Sequence, residues 1–127
     1  MDSADIARVD AISAMKEHKN ATNSPLAAFR TLLREFCKDG KYHVMAEATQ
    51  RFVEAHPRDA FFVMEAVPVI VGDHIVTKLH AASAFRNYTL RNPTWTTTIR
   101  GLITKPDAFE AFVKSVEAEV SAEKTAA

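Results

Sequence analysis

Residues 85–105 read FRNYTLRNPTWTTTIRGLITK, and two structures compete for this stretch. Asn92-Pro93 is a typical helix start, with Asn as the N-cap and Pro in the first turn. Tyr88 and the run Trp95-Thr-Thr-Thr-Ile99 are instead strong strand formers on either side of a turn. A helix here completes an all-α protein, whereas a hairpin at about 87–103 gives an α+β fold that resembles a winged helix. We favour the helix.

Outside this stretch, apolar residues recur at helical spacing between recognisable helix ends. Ser24-Pro25 supplies an N-cap followed by Pro in the first turn, and Gly40 supplies the left-handed residue that commonly ends a helix. Thr104 to Asp107 has the pattern of a capping box at the start of the last helix. The predicted fold class is therefore all-α, a compact bundle of six or seven short helices, with the hairpin-containing α+β fold as the alternative.

The most apolar run is AFFVMEAVPVIV at residues 60–71. Phe61, Phe62, Val67 and Ile70 point in different directions around a helix, so we predict a central helix that neighbours surround on all sides. Gly72 is expected to end this helix in a tight helical hairpin. The run has twelve residues, and a membrane-spanning helix needs about 20, so we expect it in a protein core and predict no membrane contact.

Length and composition place the chain among ordinary globular proteins. Its 127 residues are 47% hydrophobic and 25% charged, which predicts one helical domain at 1–122 and a frayed tail at 123–127. The polar stretch 17–23 is expected to link the first two helices. The first residues lack the apolar core of a secretion signal and Cys37 is the only cysteine, so we predict a reducing, cytoplasmic location.

Motifs for catalysis and cofactor binding are lacking in the sequence. One cysteine cannot build a paired-thiolate zinc site, and glycines only at 40, 72 and 101 give no phosphate-binding loop. His43 and Glu47 share a helical face, but the charged residues around them are typical of a solvated surface. We therefore predict that the protein is not an enzyme and binds no metal or cofactor.

Charge is distributed unevenly along a chain whose formal net charge is zero. Residues 74–106, here called the acid-free segment, carry five cations and no carboxylate, whereas residues 41–73 carry three cations and five carboxylates. The cations either gather with nearby aromatic residues on a binding surface or pair with carboxylates of neighbouring helices. For the first interpretation, the predicted partner-binding residues are Lys78, Arg86, Tyr88, Arg91, Trp95, Arg100 and Lys105.

These patterns favour a non-enzymatic helical protein-interaction module, such as an adaptor, a regulatory inhibitor or an assembly component. Arg, Trp and Tyr are enriched at the centres of protein interfaces, so the expected partner is a protein with an acidic surface. Nucleic acid is the alternative partner, although five cations make at most about five phosphate contacts. Association between copies of the chain is also open.

Overall fold

The computed structural model describes residues 2–16 and 24–126, and helical residues make up 86% of that part of the chain. It contains seven α-helices and no strand within these ranges, which confirms the predicted all-α bundle. The predicted linker at 17–23 lies outside the described residues. The helices are α1 (Ser3–Ser13), α2 (Pro25–Lys38), α3 (Tyr42–Ala55), α4 (Ala60–Leu79), α5 (Ala82–Arg91), α6 (Trp95–Leu102) and α7 (Pro106–Ala126), with a 3₁₀ helix at Pro57–Asp59 before α4.

The start and end of α2 follow the local signals in the sequence. The Ser24 hydroxyl accepts a hydrogen bond from the Ala27 amide at 3.1 Å. At the other end, Gly40 has a φ of 74°, the left-handed conformation that a residue without Cβ adopts at little cost. The Lys41 and Gly40 amides then donate to the carbonyls of Phe36 at 2.8 Å and Cys37 at 3.0 Å. This is the pattern of a Schellman motif.

The stretch 87–103 is helical on both sides of a turn, so the alternative with a hairpin is wrong. Helix α5 ends where the Asn92 side chain and backbone amide both donate to the Tyr88 carbonyl, each at 2.9 Å. Tyr88 and Ile99 are buried, and α6 packs against α4 and α7. Packing of these apolar residues between helices outweighs the strand preference of the threonines.

Helix α4 differs from the prediction in its length and in its exposed side. It continues through Gly72 to Leu79, and the chain turns at His80, whose φ is 49°. Gly72 is buried with the Phe85 ring beside it, so it serves close packing of helices and does not end one. Phe61 and Phe62, predicted to be buried, are 67% and 50% exposed.

The helices pack around one apolar cluster. Helix α3 contacts α1, α2 and α7, whereas α4 contacts α2, α5 and α6. Phe29 of α2 and Phe52 of α3 stack face to face, with ring centroids 4.2 Å apart. The largest fully buried side chains are Phe29, Phe36, Phe52, Phe109, Leu33, Met45, Ile75, Ile99, Ile103, Val9, Val63 and Val67.

Residues 123–126, which the sequence predicts to be a frayed tail, belong to the last turns of α7. Helix α7 runs to Ala126. Glu123 accepts a hydrogen bond from Arg91 at 3.0 Å, and Lys124 donates to the Leu79 carbonyl at 2.6 Å. These contacts with α4 and α5 hold a turn that has no apolar stripe of its own.

One helix among the described residues, Pro57–Leu79, is long and apolar enough to cross a membrane by length and composition alone. A core helix of a soluble protein passes the same test, and α4 buries seven of its residues, including Val63, Val67, Ile70 and Ile75. The most apolar 18-residue window of this helix is 39% buried, so packing within the bundle accounts for part of its apolar character.

Candidate interaction surface

Three of the five cations in the acid-free segment pair with carboxylates from other parts of the fold. Lys78 donates to Glu117 at 2.9 Å, Arg91 to Glu123 at 3.0 Å and Arg100 to Glu65 at 3.1 Å. Helices α4 and α7 thus supply the negative charge that the segment lacks. Arg86 and Lys105 are exposed, and neither makes an ion pair with the described residues.

The two aromatic residues of the predicted site lie inside the bundle or at its edge. Tyr88 is 4% exposed, so its assignment to a binding surface needs correction. Trp95 is half-buried and packs edge to face on Phe85, with ring centroids 5.3 Å apart. Both rings therefore position α5 and α6, and Tyr88 is too buried to belong to a basic and aromatic surface patch.

An apolar surface that the sequence analysis missed lies on α4. Phe61, Phe62 and Val69 are 67%, 50% and 62% exposed, and we call these three side chains the α4 ridge. The Phe61 and Phe62 rings meet edge to face at a centroid distance of 5.6 Å. A soluble protein seldom leaves several large apolar side chains together in water without a binding role.

A groove between α2 and α4 runs beside the ridge. Its α2 wall carries a row of cations, Arg30, Arg34 and Lys38, at successive turns of the helix. None of the three makes an ion pair with the described residues, and the buried Nε of Arg30 lacks an acceptor among them. The spacing of four residues is visible in the sequence, but residues 1–40 are balanced in charge, and counting over that length concealed the row.

The α4 wall of the groove carries carboxylates. Arg30 and Phe62 line the groove near Glu65, whereas Lys38 lines it near Asp73 and Thr77. Helices α2 and α4 therefore run in the same direction along the groove. Glu65 also pairs with Arg100 of α6, so one predicted site residue, Arg100, lies at the far edge of the ridge.

A polar cluster joins α3, α4 and α7 beneath the end of this groove. The Tyr42 hydroxyl donates a short hydrogen bond to Glu117, and its oxygen lies 3.1 Å from Nε2 of His74. Burial lowers the pKa of His74, and burial together with the Glu117 carboxylate raises the pKa of Tyr42. These groups tie three helices together at neutral pH.

Cys37 lies on the floor of the groove and is 1% exposed. Burial, with a further contribution from Glu117, raises the pKa of its thiol to about 12. The thiolate is the reactive form of cysteine, so this residue has the properties of a packed apolar side chain. His43 contacts both Glu47 and Asp107, but no group of three metal ligands occurs within residues 2–16 and 24–126.

Comparison of the chain with protein-family models, curated proteins and solved structures gives no match.

Proposed function

We propose that the protein is a non-enzymatic helical interaction module and that it binds another protein chain through the α4 ridge. The observation that carries the proposal is the exposure of Phe61, Phe62 and Val69 on one helix. Burying such side chains against a partner gives about 25 cal/mol for each Å² of apolar surface removed from water. Arg34 and Arg100 lie on either side of the α4 ridge. Arginine, like the large aromatic residues, is enriched at the centres of protein interfaces.

Ion pairing within the fold changes which partner the charges favour. The expectation of an acidic partner, and its nucleic-acid alternative, both depended on five cations without carboxylates nearby. With Lys78, Arg91 and Arg100 each beside a carboxylate, the attraction of this segment for phosphate groups is reduced. The ridge needs no phosphate contact, and this supports a protein partner over nucleic acid.

Capture experiments with matched variants test the proposal. Tagged protein is returned to the cells that naturally make it and purified with and without nuclease, and an untagged second copy of the chain is co-expressed. The variant Phe61→Ser/Phe62→Ser/Val69→Ser is expected to lose bound protein, whereas Leu90→Ser, at a side chain 70% exposed on α5, keeps it. Binding should survive nuclease.

If the triple variant captured the same proteins as the unaltered chain, the ridge would not be the binding surface. If nuclease released every bound component, nucleic acid would be the partner instead.

A further inference from the structure

We infer that the partner at the α2–α4 groove is a second copy of this chain, related to the first by a two-fold axis running along the groove. This inference rests on the proposed function, because the ridge is part of the surface it uses. It specifies the occupant, the geometry and the residue pairs that meet.

The charge pattern of the groove is complementary to the same groove on a second copy of the chain. Cations line one wall, on α2, and two carboxylates lie along the other, on α4: Asp73, which makes no ion pair with the described residues, and Glu65, which is already paired with Arg100. An acidic partner covering the groove would meet the carboxylates, and a basic partner would meet the row of cations; either juxtaposition of like charges is unfavourable. A copy of the same surface avoids both conflicts if each wall faces the opposite wall.

A two-fold axis along the groove produces that arrangement. It keeps the direction of each helix and places α2 of one copy over α4 of the other at the same height. Since α2 and α4 run in the same direction, Lys38 then lies opposite Asp73 of the second copy, and each such contact occurs twice. At the other end, Arg30 lies opposite Phe62, where the face of a phenyl ring attracts a guanidinium group.

Net charge favours association between copies as well. The chain carries 16 cations and 16 carboxylates, so its formal net charge at pH 7 is zero. Proteins with a large net charge repel their own copies, whereas a neutral chain lacks this long-range repulsion. The apolar ridge can then supply attraction at short range.

Sedimentation equilibrium of the full chain, from micromolar to millimolar concentration, measures the association directly. We expect a monomer–dimer equilibrium. The variants Lys38→Glu and Asp73→Lys should each raise the dimer Kd about tenfold or more, because each reversed charge acts at both symmetric contacts. Arg86→Glu, at an exposed cation of α5 that makes no ion pair with the described residues, is the matched control and should leave the Kd unchanged.

Mixing the two variants gives the sharpest test of the symmetry. A chain with Lys38→Glu should pair with a chain with Asp73→Lys, since both contacts are then between opposite charges. The mixture is expected to recover a Kd near that of the unaltered chain, as is the double variant Lys38→Glu/Asp73→Lys. Circular dichroism of each variant verifies that it is folded.

A chain that stayed monomeric over the whole range would overturn the inference, as would a mixture that failed to associate. Dimers unaffected by either single reversal would also overturn it, because the contact would lie elsewhere. If the chain were monomeric but the ridge variant still lost captured proteins, the proposed function would stand and the second copy would be excluded. A chain that stayed monomeric and a ridge variant that kept all its captured proteins would together reject both the inference and the proposed function.

Discussion

At the scale of the residue, His74 gives the polar cluster a defined response to pH. The imidazole is part-buried beside Tyr42, and burial lowers its pKa below the ordinary value of 6.5, while Lys78 acts in the same direction and Glu117 opposes it. Between its folded pKa and 6.5, the unfolded chain binds more protons at this position than the folded chain. The contribution of His74 to stability is therefore complete above about pH 6.5 and is lost as the pH falls towards the folded pKa.

We expect the free energy of unfolding to decrease between pH 7.5 and pH 5.5, and to decrease less in His74→Gln, since glutamine does not titrate there. Urea unfolding at each pH measures it. His80→Asn is the control, because His80 is exposed and asparagine tolerates its left-handed conformation. Equal pH dependence in the unaltered chain and His74→Gln would show that His74 is not the titrating group.

Exposure also separates phenylalanines that look alike in the sequence. Phe29 is fully buried and stacks on Phe52, whereas Phe62 is 50% exposed. Phe29→Ala is expected to cost about 3–5 kcal/mol of stability through the cavity it leaves. Phe62→Ala should cost less than about 1 kcal/mol, as surface substitutions usually do.

Denaturant unfolding at low micromolar concentration, where association contributes least, compares the two variants. If Phe62→Ala lowered the free energy of unfolding as much as Phe29→Ala, Phe62 would be a core residue and would not belong to an exposed ridge.

At the scale of the element, α4 depends on a glycine where two other helices approach it. A Cβ added at Gly72 would lie 3.2 Å from the Phe85 ring and 3.4 Å from the Trp95 ring. Gly101 of α6 is also helical, but a Cβ there would meet nothing within 4 Å. The same substitution at the two positions therefore separates crowding from helix propensity.

We expect Gly72→Val to destabilise the protein by about 1–3 kcal/mol, the usual cost of overpacking. Gly101→Val should be neutral or slightly stabilising, because valine has the higher helix propensity. Trp95 is the only tryptophan, so its fluorescence reports both unfolding and any displacement of α6. Equal stability of the two variants would mean that α4 and α5 are not closely packed.

The sequence predicted the ends of a helix correctly where one or two local residues determine them. Ser24 and Gly40 act through hydrogen bonds and backbone angles within a single turn. The end of α4 at His80 carries no glycine, proline or asparagine, and the helix that follows, α5, packs against α4 and α7. The turn could therefore not be predicted from local residues.

The candidate surface was harder to predict than the helices, for a related reason. A helix that is apolar on every side, as residues 60–71 are, does not indicate which side its neighbours leave open. Phe61 and Phe62 became exposed because α2 and α6 cover other sides of α4. Likewise, the five cations of the acid-free segment gave no sign of Glu65, Glu117 and Glu123, which are distant in sequence and adjacent in space.

At the scale of the whole molecule, the paired charges and the apolar ridge divide the surface into two regions. On the α5–α7 side, Arg91 bonds to Glu123 and Asn87 contacts the same carboxylate. On the α2–α4 side, Arg34 and Lys38 line a groove with Glu65 and Asp73 but make no ion pair with the described residues. Reversing the charge of Arg91, on the α5–α7 side, is expected to reduce the stability of the fold more than binding. Reversing the charge of Arg34 or Lys38, on the α2–α4 side, is expected to reduce binding more than stability.

Helix α7 packs against α3, α5 and α6, and all three precede it in the chain. During synthesis, a ribosome releases α1 to α6 first, at about 5–20 residues per second. Until Phe109, Val113 and Val116 emerge from the exit tunnel, the apolar sides that they cover stay open to water and to chaperones. The apolar core is therefore completed only after α7 has left the ribosome.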